Sequence, residues 1–183
     1  MKRQVSRGLI LAGVLVAIAS AIAAQKEELH RELPNFYKVN ERLCRGGQPQ
    51  RGGLKKLSEL GIKTVVNLRG EGESVKEDRA EAEALGLRYF SVPMPALGRP
   101  TDEQVERVLA LMDDHKNWPV FVHCRRGSDR TGTVIAVYRI LCERWTEEQA
   151  IAEAKRFGLA RIQFRKKDYI SDYYERLHGA NQR

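Results

Sequence analysis

The chain has 183 residues and a formal charge of +8, from 32 Lys and Arg against 24 Asp and Glu. That length suits one domain with a real core. The basic balance draws anionic partners, yet no basic stripe carries interleaved aromatics, which argues against nucleic acid. His30, His115, His123 and His178 have no ligand-like spacing, so no metal is expected; no cofactor is called for either. Of three cysteines, Cys44 and Cys142 are expected as ordinary buried thiols. Two alternatives are a Cys44–Cys142 disulfide and a resolving role for Cys44.

Lys2, Arg3 and Arg7 precede an uncharged run from Gly8 to Ala24 that ends in small residues. Residues 1–24 therefore read as a signal peptide cut after Ala23, or as a retained membrane anchor. Either way the rest is expected outside the cytoplasmic membrane, periplasmic or extracellular. Cleavage would take three cations from +8 and leave +5. Residues 25–33 read as a tether and 179–183 as a tail, and the protein is expected to be a monomer.

Leu54, Leu57 and Leu60 mark a short helix stopped by Gly61. Residues 62–68 read as a buried strand by their β-branched content. A charged, Ala-rich helix follows over 73–85, then a strand over 87–92. Thr101 and Gln104 form a capping box that opens a helix carrying Val105, Val108, Leu109 and Met112. Residues 119–123 make the next strand, and 133–143 a helix behind a polar loop. Thr146 and Gln149 open another helix that ends near Gly158, and residues 165–177 form the last. Strands alternating with helices indicate an α/β fold with parallel strands.

The polar loop carries the chemistry. It reads His123-Cys124-Arg125-Arg126-Gly127-Ser128-Asp129-Arg130-Thr131-Gly132, between a buried strand and a helix. Loop amides and the unpaired N–H groups of a helix start converge on one anion in such a place. There the helix and Arg130 both favour thiolate at Cys124 over thiol. Arg130 can grip two phosphate oxygens with its planar fork. Thr131 can donate its hydroxyl to the sulfur, and Gly127 and Gly132 permit unusual angles and close approach. A buried structural cysteine explains Cys124 but leaves Arg125, Arg126, Asp129 and Arg130 crowded without purpose.

This segment resembles the active-site loop of the cysteine-dependent protein tyrosine phosphatases, Cys-x5-Arg-Ser/Thr, in the small dual-specificity-like branch. A second stretch resembles the amino-terminal half of bacterial, plant and fungal members. It runs from Phe36-Tyr37-Lys38-Val39-Asn40 through Leu43-Cys44-Arg45-Gly46-Gly47-Gln48-Pro49 to Asn67-Leu68-Arg69. The resemblance implies a catalytic domain over 34–178, with a small central sheet, mixed at one edge and flanked by helices. It implies that Cys124 attacks phosphorus and that water later hydrolyses the phosphocysteine, with Arg125, Arg126, Gly127, Ser128, Asp129 and Arg130 around the phosphate. His123 would bond backbone and fix the cysteine. Arg69 reads as a surface arginine, with substrate contact the lesser alternative.

The family's acid is usually an Asp on a mobile loop upstream, but here that stretch, Ser91-Val92-Pro93-Met94, has no carboxylate. Two candidates remain. Asp102 ends a loop able to move as a flap, although an acid there also complements a helix dipole. Asp129 lies inside the active loop, although the neighbouring arginines oppose its holding a proton. The expected substrate is phosphotyrosine, with phosphoserine or phosphothreonine as additions. Inositol phosphates or phosphoinositides are the alternative, and a rhodanese-like sulfurtransferase or a non-catalytic phosphate-binding module comes from another class. Residues 8–24 offer a route to membrane association.

Overall fold

The structure is a computed structural model that describes Ser20 and residues 26–179. The run from Gly8 to Ala24 thus lies outside the described residues, Ser20 apart. Helical residues 26–32 (α1) lead into β1 (Tyr37–Asn40), β2 (Leu43–Gly46), α2 (Gly53–Glu59), β3 (Thr64–Asn67) and α3 (Glu73–Ala84). Then come β4 (Arg88–Ser91), α4 (Asp102–Asp113), a 3-10 turn (His115–Asn117), β5 (Val120–His123), α5 (Asp129–Glu143), α6 (Glu147–Arg156) and α7 (Phe164–Gly179).

The strands form one sheet in the order β1-β2-β5-β3-β4. Only β1 runs antiparallel, so the sheet is mixed at one edge, as expected. Four-residue strands with every side chain buried, as in β3 and β5, need cover on both faces. Alternation supplies it. Val66 and Val122 point into a core shared with Val105 and Val108 of α4, Val134 and Ile135 of α5, and Tyr169 of α7. Val65 and Phe121 point the other way, against Leu54 and Leu57 of α2 and Val75 and Ala82 of α3. α6 joins through Ala150 and Ala154, which meet Ala136 and Ile140 of α5.

Register puts the carboxyl ends of three strands side by side. His123 of β5 pairs with Gly46 of β2 and with Asn67 of β3. Loops leaving those ends meet at one edge, where ligands bind in open parallel sheets.

Both capping boxes form: Thr101 Oγ1 accepts from the Gln104 amide and Thr146 Oγ1 from that of Gln149. Two expectations are corrected. The described part of the expected tether, residues 26–33, is packed on the domain. Residues 26–32 are helical, Leu29 packs on the second core and Leu33 is fully buried in it. The helix behind the polar loop begins at Asp129, four residues before Thr133. Charged residues at its start mimic a loop by composition, but an acid in the first turn suits a helix N-terminus.

Candidate active site

Cys124 follows directly on β5 and α5 opens at Asp129, so residues 124–128 form a tight strand-to-helix turn. Ser128 gives α5 no side-chain cap, unlike Thr101 and Thr146 at their helices. The first-turn amides thus face the same space as the sulfur, the arrangement that suits an anion. A cavity of about 530 Å³ opens there, with Cys124, Arg125, Arg126, Asp129 and Arg130 in its wall. Ala96, Leu97 and Gln163 complete it.

The turn is packed against the exit of β2. Gly127 has φ +73, and a Cβ on it would sit 2.4 Å from the Gly46 carbonyl carbon. Glycine is therefore required there twice over, by angle and by space. Gly132 is different: its φ is not positive, and a Cβ would make ordinary contact with Ala154 at 3.6 Å. The Gln48 amide donates to Arg125 O at 3.2 Å, which ties the two loops together.

Arg130 Nη1 donates to Leu68 O at 3.1 Å, which anchors its guanidinium on the exit of β3. Burial opposes ionisation of the Cys124 thiol and is the largest single influence on it. The Thr131 hydroxyl and amide, the Arg130 charge and the Gly127 amide outweigh it, and the pKa falls below the usual thiol value. Thr131 Oγ1 is buried with no oxygen or nitrogen partner, so its hydroxyl is available to the sulfur. Cys44 behaves oppositely: burial pushes its thiol up to about 11. Cys44, Cys124 and Cys142 are all free, so no disulfide joins Cys44 to Cys142. Cys142 is exposed, not buried as expected, because it sits on the outer face of α5.

His123 is fully buried and stacked on Phe121, with Nδ1 3.4 Å from Cys124 O. Desolvation and the Arg69 charge push its pKa down to about 3, so it is neutral. Arg69 is not a surface residue. It is 8% exposed, gives Nε to Asn67 Oδ1 at 2.9 Å and pairs with Asp78.

The two acid candidates part company. Asp129 is buried and lines the cavity, with Oδ1 accepting from the Ala160 amide at 3.0 Å and Oδ2 from Arg126 at 2.7 Å. Asp102 does not line it. Its Oδ1 accepts from Tyr169 Oη at 2.7 Å and from Arg176 at 2.9 Å, which holds it between α4 and α7. An acid in a first helical turn reads the same in sequence whether it serves a site or a helix.

Three neighbours of the site escaped the sequence. Arg45 is fully buried beneath the turn, donates Nη2 to Gly127 O at 2.7 Å and lies 4.1 Å over the Phe157 ring. Its Nε and Nη1 have no partner, and desolvation lowers its pKa to about 10. Buried Lys166 donates Nζ to Ala96 O, Gly98 O and Gln163 Oε1 at 3.2, 2.8 and 3.0 Å. Buried Gln163 donates Nε2 to Ala96 O at 3.1 Å. A Lys three residues after a Gln on a charged stretch gives no sequence signal of a loop clamp.

A thiolate-biased cysteine and an arginine, aimed at one anion cradle from a mostly parallel sheet, define the class of cysteine-dependent phosphatases. Residues 24–172 match the family model described as a DSP-PTPase phosphatase fused to NAD+ kinase, and the chain belongs to that family. It is 31% identical over 148 residues to the dual specificity protein phosphatase TpbA of Pseudomonas aeruginosa, covering 80% of this chain and 63% of that protein. Similarity to the inositol diphosphatase DSP4 of Arabidopsis thaliana is 28% over 131 residues, 69% of this chain and 65% of that one. The chain thus spans less than two thirds of the length of either relative. The catalytic core of the PP-IP phosphatase SIW14 from S. cerevisiae shares the fold, with a TM-score of 0.71 at 23% identity, over 82% of this chain and 94% of that one.

Proposed function

We propose that the chain hydrolyses phosphoric monoesters, phosphotyrosine first and phosphoserine or phosphothreonine in addition, through a phosphocysteine at Cys124. The observation that carries this is the ionisable sulfur, favoured as thiolate by Thr131, Arg130 and Gly127, in an arginine-lined cavity. The sulfur attacks phosphorus, the P–O ester bond breaks, and Asp129 gives its proton to the departing oxygen. Asp129 is the carboxylate in the cavity wall, and Arg126, whose side chain is 67% exposed, can leave it for an incoming phosphate. Water then gives a proton to Asp129 and attacks phosphorus. The P–S bond breaks, which releases inorganic phosphate and restores the thiolate. Arg130 and the amides of Gly127 and Ser128 stabilise the charge on the transferring group. Cys124→Ser should lower turnover of an aryl phosphate by about four orders of magnitude or more. Retained turnover contradicts the proposal, as does thiosulfate turnover in its place.

The cationic rim of Arg125 and Arg126 favours a second reading, an inositol phosphate or phosphoinositide substrate, which the similarity to an inositol diphosphatase supports. Phosphate release from a phosphotyrosine peptide and from an inositol polyphosphate, measured in parallel, separates the two.

We further propose that the domain works outside the cytoplasmic membrane as a monomer, delivered by residues 1–24. The basic start and the apolar run support the export. The mass of the exported protein's first residue distinguishes cleavage after Ala23 from a retained anchor.

A further inference from the structure

Ile162, Leu97 and Phe164, exposed by 73%, 69% and 58%, are the three most exposed large apolar side chains among the described residues. They stand together. With Gly98, Gln163 and Arg165 they line a groove of about 440 Å³. Single exposed apolar residues need no explanation, but a cluster in a concavity beside a site does. This groove adjoins the cavity over Cys124, since Leu97 and Gln163 line both.

The groove is also built. Gln163 and Lys166, both buried under it, bind the carbonyls of Ala96 and Gly98 from the start of α7. Those bonds fasten the loop carrying Leu97 to the segment carrying Ile162 and Phe164. The apolar side chains are therefore held open on two fixed walls, free to meet a partner rather than each other.

We infer that this groove receives a large aliphatic or aromatic side chain of a phosphopeptide, two residues from the phosphotyrosine, and so selects protein substrates. The inference rests on the phosphatase reading of the adjoining cavity. An extended peptide turns successive side chains to opposite faces, so the residue two positions from the phosphotyrosine, roughly 7 Å along the chain, faces the protein beside the cavity. An inositol phosphate is polar on every face and has nothing to give apolar walls. A flat lipid surface calls for protruding side chains, whereas these line a recess.

The test uses two phosphotyrosine peptides that differ only in having Leu or Gln two positions after the phosphotyrosine, and an aryl phosphate without flanking residues. The wild type should favour the Leu peptide by roughly tenfold in kcat/KM. In the Ile162→Gln, Phe164→Gln double variant that preference should fall to within about twofold, with the aryl phosphate rate unchanged. Aryl phosphate hydrolysis with equal rates on both peptides overturns the groove alone, as does a preference that survives the double variant. Faster turnover on anionic vesicles without peptide preference assigns the patch to lipid and overturns it too. No hydrolysis of any ester overturns the phosphatase reading and this inference with it.

Discussion

His123 and Cys124 are adjacent, both buried, and both have lowered pKa values with opposite effects on charge: the histidine is kept neutral, whereas the thiol is shifted toward thiolate. The histidine has a consequence for stability. Its folded pKa of about 3 lies below the unfolded value of about 6.5, so only the unfolded chain takes up this proton between them. Its contribution is complete above pH 6.5 and is lost as pH falls toward 3, at up to about 1.4 kcal/mol per pH unit. Urea unfolding of wild type and His123→Gln across that window should show a shallower acid slope in the variant. Arg45 is a second test. A charged hydrogen bond is worth about 1.5–3 kcal/mol, so Arg45→Met should cost roughly ten- to a hundredfold in kcat/KM and raise the pH at which Cys124 is alkylated. Unchanged alkylation would reduce Arg45 to a packing residue. Asp129→Asn should slow esters with poor leaving groups far more than good ones, whereas Asp102→Asn should not discriminate. Equal losses on both ester types would sink Asp129 as the acid. Cys124, Arg130 and Thr131 were legible in the sequence because one short turn sets their spacing. Arg45 and Lys166 were not, since the loop carbonyls they bind lie 82 and 68 to 70 positions away.

The elements were legible where a local signal fixes them. Thr101 with Gln104 and Thr146 with Gln149 marked two helix starts to the residue, because each cap is made within four positions. The start of α5 was misplaced because charge at 129 and 130 resembles a loop. β1 and the helical residues 26–32 lacked any periodic signal, and tertiary packing around Leu33 defines that region. Thr101→Ala should cost about 1 kcal/mol in urea unfolding, and leave Cys124 alkylation unaltered. Gly127→Ala should do far more. Its φ of +73 and the 2.4 Å approach to Gly46 force the turn to move. We expect a loss of about 2 kcal/mol or more, a Tm lower by roughly 4–8 °C, and aryl phosphate turnover close to that of Cys124→Ser. A variant that keeps its activity would show that the turn can rearrange without loss of the cradle.

At the scale of the whole molecule, one sheet edge gathers what the chain keeps apart. Gly46, Asn67 and His123 end in register, and from those ends come the packing wall of Gly127, the Leu68 carbonyl that anchors Arg130, and Cys124 itself. Alternation of strands and helices foretold the layers, but not that register. The chemistry therefore depends on one physical condition, that this edge holds Cys124 as a thiolate within an anion cradle. Mass-resolved alkylation of Cys124 by iodoacetamide from pH 4 to 9, with and without orthophosphate, tests it most directly. Cys124 should react below the free-thiol midpoint of about 8.5 and be protected by orthophosphate, with Cys44 inert throughout. A Cys124 midpoint near 8.5 with no protection by orthophosphate would contradict it.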